Sequence, residues 1–462
     1  MNNILSERIV KLEELATNDM KLDYYPINYE VVSQETMLEV MSYGLPTRAR
    51  HWSYGQSYEY QKMQGEMGHS KVYELVLNND PSYAFLLDTN SNIENTMVCA
   101  HVIGHVHFFK NNFLFKQTDN KMVYHAAERA QRIEEYIQKY GLEPVERLMD
   151  IGFALDKHID WHRGTNRSKY KRAKKYYKKV KKGEFDDLKN SKQFSMKEVR
   201  DPGLFPPHDE YDILWFLTNY SSVLEPWQKD ILEIIRLESY YFYPQYMTKI
   251  MNEGFASFCH AELMLKLDDL PQSEFMDFVS IHEKVVQPGA NKLNLNPYFL
   301  GFTILNDVRK RWDALYESGE SDLDGLQKIY QIVETEDDVS FIRNYLTEEV
   351  AEDLKLFSYK NMHTPNGGQA VHILDKEIDR VRETIVKDLY NYRAPLICVT
   401  SISDGMLQLK HNSANIGTLD EKYAEVVMGY IYDLWGKPIN LETEDEEGHE
   451  VHFTFDELGF GG

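Results

Sequence analysis

Cysteine is scarce in this chain: three residues in 462, Cys99, Cys259 and Cys398, lie far apart and form no CxxC pair. That excludes a disulfide framework and a zinc ribbon, and it fits a reducing compartment. No run approaches the ~18 uncharged apolar residues that a membrane helix needs. The opening segment, MNNILSERIVKLEEL, is charged and lacks the continuous apolar core of a signal peptide. No GxxxxGK(S/T) or GxGxxG motif occurs, and the NGG at 366–368 is too short for a phosphate loop, so nucleotide binding is disfavoured. Positive charge is also in short supply, with 51 Lys+Arg against 74 Asp+Glu and a formal charge of −23. Such a surface argues against general nucleic-acid binding. The expectation is a cytoplasmic protein with no membrane span and no specific nucleic-acid partner.

Aromatic and apolar residues are plentiful. The chain is 42% hydrophobic and 13% aromatic, with 31 tyrosines and 22 phenylalanines, which is too much core material for a disordered protein. At about 150 residues per domain, two or three domains are expected. One segment departs from the acidic background: RGTNRSKYKRAKKYYKKVKKG (163–183) carries eleven basic residues. It reads as a solvated strip or as a docking strip for an acidic partner or for nucleic acid, with Tyr170, Tyr176 and Tyr177 interleaved for stacking.

Helical patterns dominate the first three quarters. Helices are expected over 2–20, 91–112, 125–140, 143–162, 226–243, 245–266, 298–316 and 340–357, with Pro244 separating the fourth last from the third last. SNIE (91–94) has the form of a capping box, and VYELVLNNDPSYAFLLDTN (72–90) reads as a β-hairpin around an Asn-Asp-Pro turn. Residues 43–62, with Arg48, Arg50, His51, Trp52 and Tyr54, read as an ordered loop that lines a cleft or packs through cation–π stacking. From HTPNGGQ (363–369), read as a linker, the pattern becomes mixed. A helix near 375–391 precedes a strand pair turning at Asp404-Gly405. A helix over 419–436 then leads to a second strand pair. The expected fold is a mainly α-helical large domain over 1–362, whose helical core could be zincin-like, with a small C-terminal α+β domain over 370–462.

The chemistry concentrates in two segments. In AHVIGHVHFFKNN (100–112), His101 and His105 are four residues apart, so on a helix both imidazoles leave one face within reach of one ion. Gly104 beside them permits close approach of another backbone. His107 lies about 200° around the helix from His105, which puts it off this face, while Phe108 and Asn112 continue it. In MNEGFASFCH (251–260), Glu253 and His260 share a stripe with Ser257 between them. Neutral imidazoles with a carboxylate make a zinc or iron shell, zinc favoured, with an open position for water or substrate. A buried hydrogen-bonded network is the competing reading. His282 and Glu283 read mainly as a helix end, or else as a group supporting a ligand from behind or as a second-metal ligand, and His158 and His162 as a surface or hinge feature.

NEGFA is similar to the segment that gives the third zinc ligand in gluzincin aminopeptidases. That resemblance maps Glu253 onto the ligand glutamate and His101 and His105 onto the ligand histidines. Val102 stands where the HExxH motif has its general-base glutamate, and nearly 150 residues separate His105 from Glu253. A hydrolase would therefore need another base, for which His260 and Glu233 are the nearest candidates.

A longer resemblance runs through YYPINYEVV, GLPTRARHWSYG, AHVIGHVHFFKNN, EPWQKDILEIIR, MNEGFASFCHAE, LNPYFLGF and YIYDLWGKPINLET. In this order the blocks look like the stage V sporulation protein R (SpoVR) family of a sporulating Gram-positive bacterium. The resemblance implies a role in forming the spore cortex, a peptidoglycan layer. Its relatives in non-sporulating bacteria imply two protein partners, an AAA+ serine-kinase-like protein and a von Willebrand A-type protein. Three function classes follow: a metal-dependent hydrolase acting on a peptide or peptidoglycan precursor, a non-catalytic regulatory or scaffolding protein with a degenerate metallopeptidase-like core, and a dinuclear-metal oxidoreductase. The last would draw on Glu225, Glu233 or Glu238 and needs paired ExxH motifs, which the chain lacks.

Overall fold

A computed structural model describes residues 2–66, 74–170, 176–179, 196–199, 205–288, 295–363, 369–389, 391 and 394–461. In chain order the elements begin with α1 (Asn3–Asn18), β1 (Ile27–Val32), α2 (Gln34–Tyr43), α3 (Trp52–Glu66), β2 (Glu74–Leu77) and β3 (Ser82–Leu87). There follow α4 (Asn92–Asn111), α5 (Met122–Tyr140), α6 (Leu142–Ala154), β4 (Tyr176–Lys179), β5 (Met196–Val199), α7 (Ile213–Tyr220) and α8 (Pro226–Met247). Next come α9 (Lys249–Lys266), α10 (Gln272–Val285), α11 (Pro297–Ser318), α12 (Gly325–Thr335), α13 (Asp338–Tyr345) and α14 (Glu348–Asp353). The chain ends with β6 (Ser358–His363), β7 (Gln369–Asp375), α15 (Ile378–Leu389), β8 (Ile397–Ser403), β9 (Met406–His411), α16 (Ser413–Ile416), α17 (Glu421–Trp435), β10 (Ile439–Glu444), β11 (Glu450–Asp456) and β12 (Gly459–Gly461). The large part is mainly helical and the small C-terminal part is α+β, as expected. Among the described residues no helix is long and apolar enough to cross a membrane.

Two compact units emerge, one of residues 1–149 with 237–394, the other of 150–236 with 395–462. This division differs from the expected linker at 363–369. Residues 364–368 lie outside the described residues, and their flanks His363 and Gln369 pair as the ends of the antiparallel β6–β7 ladder. Helix α15 carries Val381, Ile385 and Val386 into the core of the first unit, and Arg343 grips Glu383 there through two hydrogen bonds of 2.8 and 2.9 Å.

The first unit is organised around α4. The capping box that starts it is present: Glu94 N–H donates to Ser91 Oγ, and Ser91 N–H to the Glu94 carboxylate at 2.7 Å. Of its 20 residues 16 are buried, the signature of a helix packed on all sides rather than along one stripe. The expected hairpin forms as β2 and β3, and β1 adds to it in parallel, with Ile27 opposite Ser82. Helix α9 crosses α4 at Gly104, where an added Cβ would lie 2.8 Å from the Ala256 Cα. On its other side α9 meets α11 at Gly254 and Gly301, where a Cβ on Gly254 would lie 2.4 Å from the Gly301 carbonyl carbon. Hydrogen in place of a side chain at these positions brings the helix backbones together.

The break between α8 and α9 falls at Thr248 rather than at Pro244, which lies inside α8. Its cause sits elsewhere in the chain. The buried Asp338 carboxylate accepts from Ile250 N–H at 2.8 Å and Met251 N–H at 2.9 Å, so a residue of α13 caps the start of α9.

Residues 43–62 are not a loop. Gly44 closes α2 with φ of 71°, and α3 begins at Trp52. Arg48 donates to Glu238 at 2.6 Å and stacks on Tyr54 and Phe242, so this cluster is packing. The expected helix over 340–357 is two short ones, α13 and α14, and the one over 143–162 stops at Ala154.

In the second unit, β8 to β12 form a sheet in the order β12-β11-β10-β9-β8. Asp404 and Gly405 both have positive φ, 50° and 91°, as a tight hairpin turn between β8 and β9 requires. Helix α17 connects β9 to β10, which pair in parallel. Segment 150–236 belongs to this unit because Glu210 exchanges backbone hydrogen bonds with Val399 at 3.0 and 2.8 Å. His158 is buried here, and burial pushes it down to about 4, which corrects the surface reading; His162 is exposed. The start of the basic strip is anchored rather than solvated. Arg167 stacks on Trp215 at 3.9 Å and pairs with the buried Glu210 at 2.8 Å. Residues 171–175 and 180–183 of the strip lie outside the described residues.

Candidate metal centre

Helix α4 points His101 and His105 at α9, and the glycine crossings set the separation. Glu253 Oε2 lies 3.6 Å from His101 Nε2 and 3.5 Å from His105 Nε2. All three residues are buried or nearly so. A tetrahedral site with bonds of about 2.1 Å has ligand–ligand edges of about 3.4 Å, and an octahedral one about 3.0 Å. The observed spacings match the tetrahedral edge.

Among the described residues two polar atoms at this point, His101 Nε2 and Glu253 Oε2, are buried without a hydrogen-bond partner. Buried polar atoms are almost always paired, so the pair fits a bound cation. The outer atoms leave the inner nitrogens free for one. Asn252 Oδ1 accepts a hydrogen bond from His105 Nδ1–H at 2.9 Å, and His105 then presents its Nε2 lone pair toward Glu253.

His101 is held by a chain of imidazoles. Its Nδ1 lies 2.9 Å from His260 Nδ1, and His260 Nε2 lies 2.6 Å from His282 Nδ1. If His101 Nε2 carries a lone pair, one proton arrangement satisfies every member: His101 donates to His260 and His260 to His282. His260 therefore stands behind His101 with both ring nitrogens engaged, and not beside Glu253 as a further ligand. His282, read from sequence mainly as a helix end, completes the chain from α10.

A carboxylate that sequence reasoning missed joins the site. Glu74, at the start of β2, places Oε1 3.9 Å from His101 Nε2, and Glu74, His101 and His105 could together hold an ion. No local motif marks it; only the pairing of β2 into the sheet beside α4 brings it there. Burial raises the Glu74 carboxyl, and Glu253 adds to this against His101 and His105. Glu253 goes the opposite way. Despite burial, the adjoining His101 and His105 imidazoles hold it far below the usual carboxylate range. Burial opposes charge on His105, but Glu253, Asn252 and Glu74 outweigh it and raise His105. The negative potential that favours a proton here favours a cation equally.

The other sequence candidates lie elsewhere. Glu233 belongs to the second unit, where it accepts from Arg236 at 3.0 Å. Glu225 accepts from Trp227 Nε1 at 2.9 Å, and Glu238 pairs with Arg48. His107, off the face as its spacing implied, accepts from Asp23 N–H at 3.0 Å and is pushed down to about 4 by burial. Asn112 clamps the Val333 and Glu336 carbonyls at 2.8 and 2.9 Å.

A pocket of about 330 Å³ opens onto the histidines, lined by Glu74, His101, His260 and Tyr298 with apolar walls that include Met97 and Ile281. Tyr298 stacks on His101 with ring centroids 6.0 Å apart. Burial, then the Glu253 and Glu74 charges, hold its hydroxyl well above the usual tyrosine range, so it remains a proton donor.

Comparison with known proteins places nearly the whole chain. The family described as "SpoVR like protein" matches residues 2–394, and the "SpoVR-like C-terminal domain" matches 395–446. The chain belongs to the SpoVR family. The boundary between the two SpoVR matches coincides with the passage from the first compact unit to the second at Ala394. A SpoVR-like chain is also similar to "Uncharacterized protein YcgB" of Escherichia coli (strain K12), 30% identical over 464 aligned positions, covering 93% of this chain and 89% of that protein. No solved structure matches.

Proposed function

We propose that this SpoVR family member is a metal-dependent hydrolase of metallopeptidase-like type, acting on a peptide or peptidoglycan precursor in spore cortex formation. His101, His105 and Glu253 would hold one divalent transition metal, zinc in preference to iron. The observation that carries the reading is the pair of buried, unpartnered atoms His101 Nε2 and Glu253 Oε2 beside His105 at tetrahedral spacing. The cortex role rests on the family and not on the geometry.

A bound metal supplies Lewis acidity toward a carbonyl and acidifies water. The chain supplies the rest. Glu74, with its raised carboxyl, takes a proton from water as the oxygen attacks the carbonyl carbon. It returns that proton to the amine when the C–N bond breaks. Tyr298 donates to the developing oxyanion. Glu74 thus fills the role that Val102, wholly buried, leaves open on α4.

Val102 is also what favours the second reading, a non-catalytic regulatory or scaffolding protein that retains the metal shell. Elemental analysis of wild type, His105→Ala and Glu253→Ala separates these from a plain hydrogen-bonded network. Near-stoichiometric zinc or iron in wild type, lost in both variants, supports the centre. A wild type that carries no metal and binds none on titration refutes it. Turnover of a library of N-acylated short peptides then divides hydrolase from scaffold. Hydrolysis that Glu74→Gln abolishes without loss of metal supports the hydrolase, and a loaded protein that cleaves none of them supports the scaffold.

A further inference from the structure

The pocket above the histidines has a polarity that selects its ligand. Its inner end carries Glu74, His101, His260 and Tyr298. Its walls are Met97, Val98, Ile281 and Val285, and at α10 it is lined by one cation, Lys284. Ile281, Lys284 and Val285 are spaced i, i+3 and i+4, so one face of α10 gives the pocket both its apolar wall and its charge. Among the described residues no carboxylate pairs with Lys284, whereas other lysines of the same unit, such as Lys11 and Lys266, have acidic partners. Asn296, also in the lining, is committed: its amide nitrogen donates to the Val285 and Gln287 carbonyls at 2.9 Å, and its oxygen accepts from Tyr298 N–H at 3.0 Å.

We propose that the pocket binds the carboxylate end of a short peptide or N-acyl amino acid, with the carboxylate on Lys284 and the acyl carbonyl toward His101. Glu74 lines the inner end and Glu253 stands against His101 beside it, so a further anion there is disfavoured and the ligand must present a neutral carbonyl. Its anionic group then belongs at the lysine. The apolar stretch between suits a small aliphatic side chain. A cavity of about 330 Å³ is at the lower end of ligand pockets, about 300–1,000 Å³, and suits a short ligand. The proposal deepens the hydrolase reading, since it names what that site would cleave, but carboxylate binding itself does not require metal.

The test compares N-acetyl-alanyl-alanine with its C-terminal amide by calorimetry, on the full chain with and without zinc, in wild type and in Lys284→Met. The acid is expected to bind wild type about tenfold more tightly than the amide, as a charge-assisted hydrogen bond would give. Lys284→Met should bring the acid down to the level of the amide and leave the amide unchanged. Equal affinity of the two probes for wild type, binding of neither, or an acid preference retained in Lys284→Met overturns the proposal. An acid preference in a protein that takes up no zinc supports the carboxylate site and refutes the metal centre alone.

Discussion

Replacing His282 by leucine should weaken zinc binding by about 10–100-fold, although His282 stands two imidazoles away from the proposed ion. The loss follows from the proton arrangement. His260 is fully buried, and its Nε2–H has His282 Nδ1 as acceptor at 2.6 Å. Leucine removes that acceptor, and an unpartnered buried N–H costs about 1–3 kcal/mol. His260 can escape the cost by moving its proton to Nδ1. That nitrogen faces His101 Nδ1 at 2.9 Å, so His101 must then carry its own proton on Nε2, the atom that would bind the metal. Either way about 1.4–2.7 kcal/mol passes to metal affinity. His282→Gln, whose carbonyl oxygen can accept from His260, should keep near wild-type affinity. Zinc competition against a chromogenic chelator reads the affinities, and thermal denaturation in excess chelator reads the fold. Wild-type zinc affinity in His282→Leu, or equal losses in the leucine and glutamine variants, would refute the tautomer argument.

Two further outcomes concern the frame of the site. Gly301→Ala would place a Cβ 2.1 Å from the Ile250 carbonyl oxygen, a backbone atom that cannot step aside; urea denaturation should show a loss of about 1–3 kcal/mol, and an unchanged midpoint would contradict the close crossing of α9 and α11. Burial pushes the Asp338 carboxyl from 3.8 up to about 8, against the donors Ile250 and Met251. The folded chain thus keeps a proton that the unfolded chain releases, and stability from this group is full below about pH 4 and lost as pH rises toward 8. Asp338→Asn should flatten that part of the stability profile measured between pH 5 and 9; an identical slope in the variant would count against it.

What could be read in the sequence was local. Ser91 and Glu94 announce the start of α4, Asp404-Gly405 announces a hairpin, and the four-residue spacing of His101 and His105 places them on one face whatever surrounds the helix. The residues that went unrecognised are those placed by long-range pairing. Glu74 has no motif, and its position depends on β2 joining β3 in one register. His282 looked like a helix terminus because nothing in its own segment points to His260. The membership of 150–236 in the C-terminal unit depends on Glu210 meeting Val399 across almost two hundred residues, which no periodicity encodes. Pro244 misled for the converse reason: a proline is a strong local sign, but the break comes at Thr248, where Asp338 caps the start of α9.

That cap also bears on how the protein is made. Every residue of the imidazole chain except His282, and every proposed ligand, has been synthesised once His260 leaves the ribosome, yet the start of α9 has no partner for its backbone donors until Asp338 follows. The interval is roughly 80 residues, on the order of 4–16 seconds at about 5–20 residues per second. For that time the nascent chain displays its histidines and glutamates on an unanchored helix, open to any metal at hand. An ion at the proposed centre would therefore find Glu253 and His260 fixed in place only after α13 has docked.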